Sequence, residues 1–198
     1  MGNKEMKKTL LALCLIATSL GVYALQTRED YKQELNDLGF MYGCTPANWS
    51  LTEPYRGGFN IAAMKGRIDV MELEVKAGLD IASCGKTLPV ILIQKKQPEA
   101  LGFLLKNGYS PNGTFQGLSY LLLAEHYRDV DMVKTIIDNG ADVNLVTKGY
   151  VPLNYAIKKG NADIVEMLVK AGAKPDEKTK KLVAKTKNEQ IKELLKDL

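Results

Sequence analysis

The sequence has few of the residues that most often carry catalysis. Its 198 residues include one histidine, three cysteines and one tryptophan. His126 has no second histidine or cysteine cluster near it, so no spacing typical of a metal site occurs. Cys84 and His126 remain as a candidate nucleophile and base, but no motif positions a third group for them. These absences argue against an enzyme and against a bound cofactor.

Glycine-rich segments are present, but none has the pattern of a phosphate-binding loop. The segments "YRGGF" and "NGTFQG" lack the lysine and the Ser or Thr that such a loop needs. Charge of one sign is not in large excess either, since 27 Lys and Arg accompany 23 Asp and Glu. This balance is far from that of a typical nucleic-acid-binding domain. The 45% hydrophobic and 25% charged content is that of one ordinary soluble domain.

The first 24 residues have the pattern of a secretory signal peptide. Lys7 and Lys8 precede an apolar run from about residue 10 to residue 20, and a site suited to signal peptidase follows at Ala24. The run is short for a membrane-spanning helix and contains the polar residues Thr18 and Ser19. We therefore predict cleavage after Ala24 and a periplasmic or secreted protein of bacterial origin.

The segment "LALC", which ends at Cys14, leaves a second interpretation open. It is similar to the acceptor sequence of lipoproteins, and acylation of Cys14 would anchor the chain to a membrane. However, Leu13 is bulky where such sequences have a small residue, and the apolar run continues beyond the cysteine. Export without a lipid anchor is the favoured prediction.

A unit of about 32 residues recurs along the rest of the chain. In "KGYVPLNYAIKKGNADIVEMLVKAGAKPD", residues 148–176, apolar residues at helical spacing predict two short helices joined by a tight turn. A shift of 32 residues superposes "FQGLSYLLLAEHYRDVDMVKTIIDNGADVN" on this segment, with Gly117 on Gly149 and Val133 on Val165. A second shift reaches "CGKTLPVILIQKKQPEALGFLLKNGYSPN", and "YRGGFNIAAMKGRIDVMELEVKAGLDI" matches the last copy at an offset of 94.

Four copies in fixed register resemble the ankyrin repeat family. The resemblance rests on "NGADVN" (139–144), "GYVPLNYAIKKGNADIVEMLVKAGA" (149–173) and "KGRIDVMELEVKAGLD" (65–80). It implies an all-α ankyrin repeat solenoid of stacked helix-turn-helix units with short β-hairpin-like loops. We predict a signal peptide at 1–24, an N-terminal capping helix and loop at 25–52, four repeats at 53–176 and a C-terminal capping repeat at 177–198.

Four positions depart from the family pattern, and two of them, Gly58 and Tyr120, replace its proline. Asn154 replaces the histidine that usually follows Pro-Leu, and Glu74 stands where the last copy has Leu168. Because a buried carboxylate without a partner is costly, we expect Glu74 to turn toward solvent. The other carboxylates are expected on the outer faces of the helices.

The segment before the repeats predicts a cap for the solenoid. "TREDYKQELNDLGF" is typical of a helix with Tyr31, Leu35 and Leu38 on one face. Such a helix would cover the apolar face that the first repeat leaves open. Trp49 follows in a loop, where it is expected to pack on the first repeat or to project as a contact residue.

Cys44 and Cys84 are the cysteines that remain after removal of the leader. An isolated pair in an oxidising compartment is a disulfide candidate. The repeat register places the two cysteines in what the resemblance makes neighbouring loops. Two separate thiols are the alternative interpretation.

The resemblance also implies a partner-binding surface. In the ankyrin family, partners bind the loop tips and the exposed turn of the first helix, which stacking aligns into a concave face. Carried over to this chain, twenty such positions include seven basic residues and one acidic residue. The alternative explanation is that lysine is common on any solvated surface. The predicted partner-binding residues are Arg56, Lys65, Lys86, Lys95, Phe115, Leu118, Tyr127, Lys148, Tyr150, Lys158 and Lys159.

These residues favour protein binding over catalysis. Phe115, Tyr127 and Tyr150 would anchor a folded partner, and the lysines would pair with its acidic surface. No nucleic acid is expected, and a membrane only if Cys14 is lipidated. The expected function is that of an immunity or inhibitor protein that occludes a toxic effector enzyme, such as a lipase or cell-wall hydrolase, in the periplasm. The alternative is a periplasmic scaffold or accessory factor for a stress-response enzyme. The free chain is expected to be a monomer.

Overall fold

Helical apolar spacing produces eleven α-helices in the part of the chain that the structure describes. The structure is a computed structural model, and it describes residues 27–40, 42–44 and 58–196. The predicted signal peptide, Cys14, Trp49 and Arg56 therefore lie outside the described residues. The helices are α1 (Arg28–Asp37), α2 (Gly58–Met64), α3 (Ile68–Lys76), α4 (Leu88–Lys95), α5 (Pro98–Lys106), α6 (Tyr120–His126), α7 (Val130–Asp138), α8 (Pro152–Lys159), α9 (Ala162–Lys170), α10 (Glu177–Lys185) and α11 (Glu189–Leu194).

From α2 onward the helices form pairs that stack in two layers. The first helices α2, α4, α6, α8 and α10 pack in sequence, and so do the second helices α3, α5, α7, α9 and α11. One continuous apolar core runs from Leu35 to Leu195, because no pair could bury its own apolar face alone. The predicted all-α solenoid is confirmed. Within the described residues, no helix has the length and apolar character needed to cross a bilayer.

The turn inside each of the first four pairs requires a residue in the left-handed region. Successive pairs place Gly66, Lys96, Arg128 and Gly160 there, with φ of 67°, 55°, 52° and 69°. Glycine adopts this conformation without steric cost, whereas Lys96 and Arg128 adopt it with a full side chain. The guanidinium of Arg128 donates to the backbone oxygen of Lys159 at 3.0 Å, which ties this turn to the next pair.

A β-hairpin forms the loop before α6. Strands β1 (Thr114–Phe115) and β2 (Leu118–Ser119) pair antiparallel around a two-residue turn. The turn residues Gln116 and Gly117 have φ of 49° and 78°, as a type I′ turn requires. The hairpin-like loops implied by the resemblance are therefore present.

The loop before α8 repeats this arrangement. Thr147 bridges Tyr150 antiparallel, and the turn residues Lys148 and Gly149 have φ of 49° and 74°. The backbone N–H of Ser119 donates to Oγ1 of Thr147 at 3.1 Å. This bond joins the two hairpins side by side, so that their tips lie on one face.

The N-terminal cap is α1, which packs against α3. Leu35 is fully buried, and Tyr31 packs partly buried against the core. Leu38 is 46% exposed, so its predicted place on the apolar face is wrong. The helix ends at Asp37, and Leu38 follows as its C-terminal cap residue instead of continuing the helical face.

A disulfide joins the cap to the repeats. It links Cys44 to Cys84, which ends a short 3₁₀ helix (Ile81–Cys84) before α4. Their Cα atoms lie 4.9 Å apart, within the range of protein disulfides. The bond therefore connects the cap to the loop before α4 across the whole pair α2–α3.

Glu74 is buried, contrary to the expectation that it would turn to solvent. Its side chain occupies the core position of Leu168 and has no exposed surface. Its Oε2 accepts a hydrogen bond from the backbone N–H of Gly43 at 2.9 Å. Burial raises the pKa of Glu74 to about 7, although the Gly43 hydrogen bond lowers it. The loop of the cap thus supplies the polar partner that the repeat itself lacks.

The C-terminal segment forms a complete fifth pair, α10 and α11. Asn154 connects it to α8 in place of the family's histidine. The buried Asn154 amide donates to the carboxylate of Asp176 at 3.1 Å, and the Thr179 hydroxyl donates to Asn154 Oδ1 at 2.7 Å. Asp176 also caps α10 by accepting from the backbone N–H of Thr179 at 2.7 Å. One small polar network therefore fixes the last pair on the solenoid.

Asn154→Leu would place here the leucine that Leu122 supplies one repeat earlier. We expect the free energy of unfolding to fall by about 1–3 kcal/mol, because Asp176 and Thr179 lose a buried partner. Urea unfolding measures this loss. Asn60→Leu is the matched control, since Asn60 has the same register position and its Oδ1 has no partner among the described residues. A loss at Asn60 as large as at Asn154 would contradict this account.

Candidate partner-binding surface

The hairpin before α6 and the first helices beside it form a shallow pocket of about 240 Å³. This first pocket brings together four of the predicted site residues, namely Phe115, Leu118, Tyr127 and Lys148. Most of its lining is apolar, while charged and amide groups lie among the rest. Its lining residues are Val90, Ile93, Gln94, Phe115, Gln116, Leu118, Leu123, His126, Tyr127 and Lys148.

A second pocket of about 250 Å³ lies one repeat further along, between α6 and α8. It is lined by Leu118, Leu122, His126, Tyr150 and Tyr155. Leu118 and His126 line both pockets, so the two are adjacent. The shift of 32 residues relates lining residues of the first pocket to those of the second: Val90 to Leu122, Gln94 to His126, Leu118 to Tyr150 and Leu123 to Tyr155.

Four rings form an aromatic row along these pockets: Tyr127, His126, Tyr155 and Tyr150. The rings of Tyr127 and His126 meet edge to face with centroids 5.4 Å apart. Nδ1 of His126 lies 3.0 Å from the hydroxyl of Tyr155 in a hydrogen bond. The rings of Tyr155 and Tyr150 meet edge to face at 5.6 Å. Tyr127 and Tyr150 are 38% and 44% exposed, so the row is held in place and still open to a partner.

Positive charge beside the row is not neutralised within the described part of the chain. Lys148 and Lys158 are exposed, and neither forms an ion pair with a described residue. On the second helices α7 and α9, by contrast, Lys134 pairs with Asp138 and Lys170 with Glu166, although Lys76 and Lys106 on α3 and α5 form no ion pair with a described residue. The charge of the first-helix face is therefore available to an acidic partner.

Lys148 is positioned by the turn that contains it. Its φ of 49° directs the chain across the neighbouring hairpin, where its side chain covers Gly117. A Cβ on Gly117 would lie 2.9 Å from Cε of Lys148. Gly117 therefore serves both its own turn and the close approach of the lysine.

The other predicted lysines are spread more widely. Lys65, Lys86 and Lys95 are exposed and line neither pocket. Lys86 lies instead beside Tyr109 and Tyr120 at the loop ends, where the hydroxyl of Tyr109 donates to backbone oxygens. The structure thus separates these three lysines from the aromatic row.

Tyr155 is the member of the row that the sequence analysis missed. The family template selected loop tips and the last turn of each first helix, and Tyr155 lies in the middle of α8. It aligns with Leu123, away from the core positions of Leu153 and Ala156. An apolar residue at this non-core position in two successive repeats was a signal that could have found it. Lys159 places its Nζ 5.3 Å from the Tyr155 ring centroid, which fixes one predicted lysine on the row.

Comparison with known proteins identifies the repeats that carry both pockets. Residues 90–179 match the family model for ankyrin repeats, in three copies. The solenoid is therefore an ankyrin repeat solenoid, and its central part consists of ankyrin repeats. The pair α2–α3 precedes the match, yet it stacks on α4 and α5 in the same way as the pairs that follow.

Curated relatives match the chain over short stretches. An ankyrin repeat protein of fowlpox virus is 48% identical over 42 residues, which is 21% of this chain and 30% of that protein. The human transient receptor potential cation channel subfamily A member 1 is 31% identical over 124 residues, 58% of this chain and 11% of the channel. Human 2-5A-dependent ribonuclease is 39% identical over 57 residues, 28% of this chain and 8% of that protein. The chain thus spans less than a third of each of these relatives.

Among the described residues, no group of three or more His, Cys, Asp and Glu side chains could hold a metal ion. Glu125 directly precedes His126 of the aromatic row, and it is buried with 2% exposure. This corrects the expectation that the carboxylates lie on outer faces. Neither of its carboxylate oxygens has a hydrogen-bond partner in the part of the chain that the structure describes, and burial raises the pKa of Glu125 to about 9. Glu125 occupies the register position of Ile93 and Ile157.

Glu125→Ile is expected to stabilise the fold at neutral pH. The folded chain retains the Glu125 proton up to about pH 9, whereas the unfolded chain releases it near pH 4.5. The contribution of the Glu125 proton to the free energy of unfolding is therefore fully present below about pH 4.5, and it is lost as the pH rises toward 9. At pH 7 the free energy of unfolding is lower by about 3 kcal/mol for this reason. Isoleucine at position 125 avoids this loss because its side chain does not ionise.

Thermal unfolding at pH 5 and pH 8 measures this effect. The gain in Tm from Glu125→Ile should be larger at pH 8 than at pH 5. Glu125→Gln should also remove the pH dependence, and Asp131→Asn, an exposed change on α7, should leave it in place. An equal gain at both pH values would show that Glu125 is not the titrating group.

Proposed function

We propose that this chain is a protein-binding module that holds a folded partner with an acidic surface against the aromatic row. The observation that carries the proposal is the row of four rings, together with Lys148 in the first pocket and Lys158 in the last turn of α8, neither of which forms an ion pair with a described residue. Aromatic side chains in partly closed pockets supply much of the binding energy of protein interfaces. Because the rings already hold one another, little further ordering is required on binding.

The partner that we propose is a toxic effector enzyme, such as a lipase or a cell-wall hydrolase. The chain would act as an immunity or inhibitor protein by covering the active-site cleft of that enzyme. Phe115, Tyr127 and Tyr150 would enter or flank the cleft, and the lysines would pair with acidic residues at its edge. Occlusion requires complementary shape and charge, which a stiff stack of repeats provides over a broad face.

The pattern of residues 1–24 supports export, and we propose that the mature protein acts in the periplasm. N-terminal sequencing of the chain from the periplasmic fraction should give Leu25 as its first residue. Isolation of a membrane-bound form that begins at a lipidated Cys14 would replace this proposal with that of an anchored protein.

Charge reversal of Lys148, Lys158 and Lys159 together is expected to weaken partner binding by at least about a hundredfold, since three favourable charge pairs become repulsive. The Tm should change little, because exposed charges contribute little to folding. Titration calorimetry against the isolated partner gives the affinity, and calorimetric unfolding gives the Tm.

The matched control reverses Lys76, Lys106 and Lys174, which are exposed and form no ion pair with a described residue. It makes the same change in net charge away from the row. Equal weakening by both triple variants would indicate a general charge effect, and unchanged affinity of the first variant would contradict the basic face.

Affinity capture with residues 25–198 at low and high salt supplies the partner for these measurements. An enzyme that is recovered in stoichiometric amount, released by salt and inactive while bound would agree with inhibition through the basic face. Recovery of an enzyme that stays active would favour the alternative role of a periplasmic scaffold or accessory factor.

A further inference from the structure

Three links meet at Gly43 and Cys44 in the cap. The Gly43 N–H donates to Oε2 of Glu74 at 2.9 Å, and the Gly43 carbonyl accepts from the backbone N–H of Phe59 at 3.2 Å. Cys44 is bonded to Cys84. The same short segment therefore covers a buried carboxyl group, begins the contact with α2 and carries the covalent tie to the loop before α4.

Glu74 has little else to support its charge. Its Oε1 has no hydrogen-bond partner among the described residues, and the Gly43 N–H is the partner of Oε2. Of the cations on α1, Lys32 pairs with Glu29 and Arg28 lies beside Gly78, and neither forms a hydrogen bond or ion pair with Glu74 among the described residues. Three helices pack against α3, namely α1, α2 and α5. Helix α2 has no titratable residue, and α5 has Glu99 and Lys106. The titratable residues of α1 are Arg28, Glu29, Asp30, Tyr31, Lys32, Glu34 and Asp37.

We propose that the Cys44–Cys84 disulfide and Glu74 form a latch on the N-terminal cap, which opens when the disulfide is reduced and Glu74 is ionised. With the disulfide intact, the cap loop stays over Glu74 whatever its charge. With the disulfide reduced and Glu74 protonated, the neutral carboxyl group stays buried and the loop remains closed. Opening is favoured only when the disulfide is reduced and the Glu74 carboxylate is charged, because the open form lets water hydrate the carboxylate.

Reduction of the latch is a two-electron exchange with an external dithiol. A thiolate of the dithiol attacks a sulfur of the Cys44–Cys84 bond, the S–S bond breaks, and the mixed disulfide is resolved by the second thiol of the reductant. The products are two cysteine thiols on this chain and one disulfide in the reductant. The partly exposed Cys44 is the accessible sulfur, since Cys84 is 3% exposed.

The direction of the pH effect follows from the raised pKa of Glu74. In the closed form Glu74 keeps its proton up to about pH 7, and in the open form it loses the proton near pH 4.5. In the reduced chain, the equilibrium constant for closure is therefore largest below about pH 4.5. It falls by about tenfold per pH unit as the pH rises to about 7. Above pH 7 no further weakening is expected.

Opening would uncover the end of the solenoid and leave the binding surface in place. Gly43 contacts α2 through Phe59 and α3 through Glu74, whereas the lining of both pockets begins at Val90. The latch is thus independent of the proposed partner, and its test requires none.

Hydrogen exchange of the backbone amides of Gly43 and Phe59 tests the latch in the full chain. Protection factors are measured at pH 5, 6 and 7, with the disulfide intact and after reduction by a phosphine. In the reduced chain, the protection of both amides should fall by about fortyfold from pH 5 to pH 7. In the oxidised chain it should change by less than about threefold, and α7–α9 should stay protected in both.

Two variants locate the sensor. Reduced Glu74→Gln should keep Gly43 and Phe59 protected at pH 7, because the amide does not ionise. Reduced Glu72→Gln, an exposed change two residues away on α3, should open like the native sequence. The proposal is overturned if the reduced chain stays protected at pH 7, or if reduced Glu74→Gln opens with the same pH dependence. It is also overturned if reduction exposes α7–α9, since the disulfide would then support the whole fold.

Discussion

The structure depends on one constraint, which is that a pair of short helices cannot bury its own apolar face. Each pair must stack on its neighbours, and a fixed left-handed turn in the first four pairs keeps the stacking geometry nearly constant. The hairpins then lie side by side, joined by the bond from Ser119 to Thr147. A repeated fold thus places equivalent pockets at equal intervals, and differences among repeats decide which of them a partner can use.

The fold could be predicted from the sequence because the residues that the stacking requires recur along the chain with a fixed period. Glycines, core leucines and valines recur at a spacing of about 32, and the structure uses them as that register requires. The structure brings Phe115, Leu118, Tyr127 and Lys148 together in one pocket, and their role in partner binding stays a prediction. Tyr155 was missed because a family template selects positions by their usual role, whereas this ring lies in the middle of a helix.

Two of the incorrect expectations concern Glu74 and Glu125, which are polar residues in apolar register positions. Glu74 was expected at the surface because its own repeat offers no partner, and its partner comes from Gly43, 31 residues earlier in the cap. Glu125 stands in the core where neighbouring repeats have isoleucine, and its carboxylate has no hydrogen-bond partner among the described residues, which makes its burial costly. Asn154 is satisfied by Asp176 and Thr179 of the following pair. Such partners come from neighbouring units, so a pattern within one repeat cannot reveal them.

The central claim is that the face with the aromatic row is the face that a partner touches. Photo-crosslinking tests it most directly, with a photoreactive phenylalanine at position 150, in the row, or at position 131, exposed on α7 of the opposite layer. The account predicts a covalent adduct with the captured partner from position 150 and none from position 131. An adduct from position 131 alone would place the partner on the second-helix face and contradict the account.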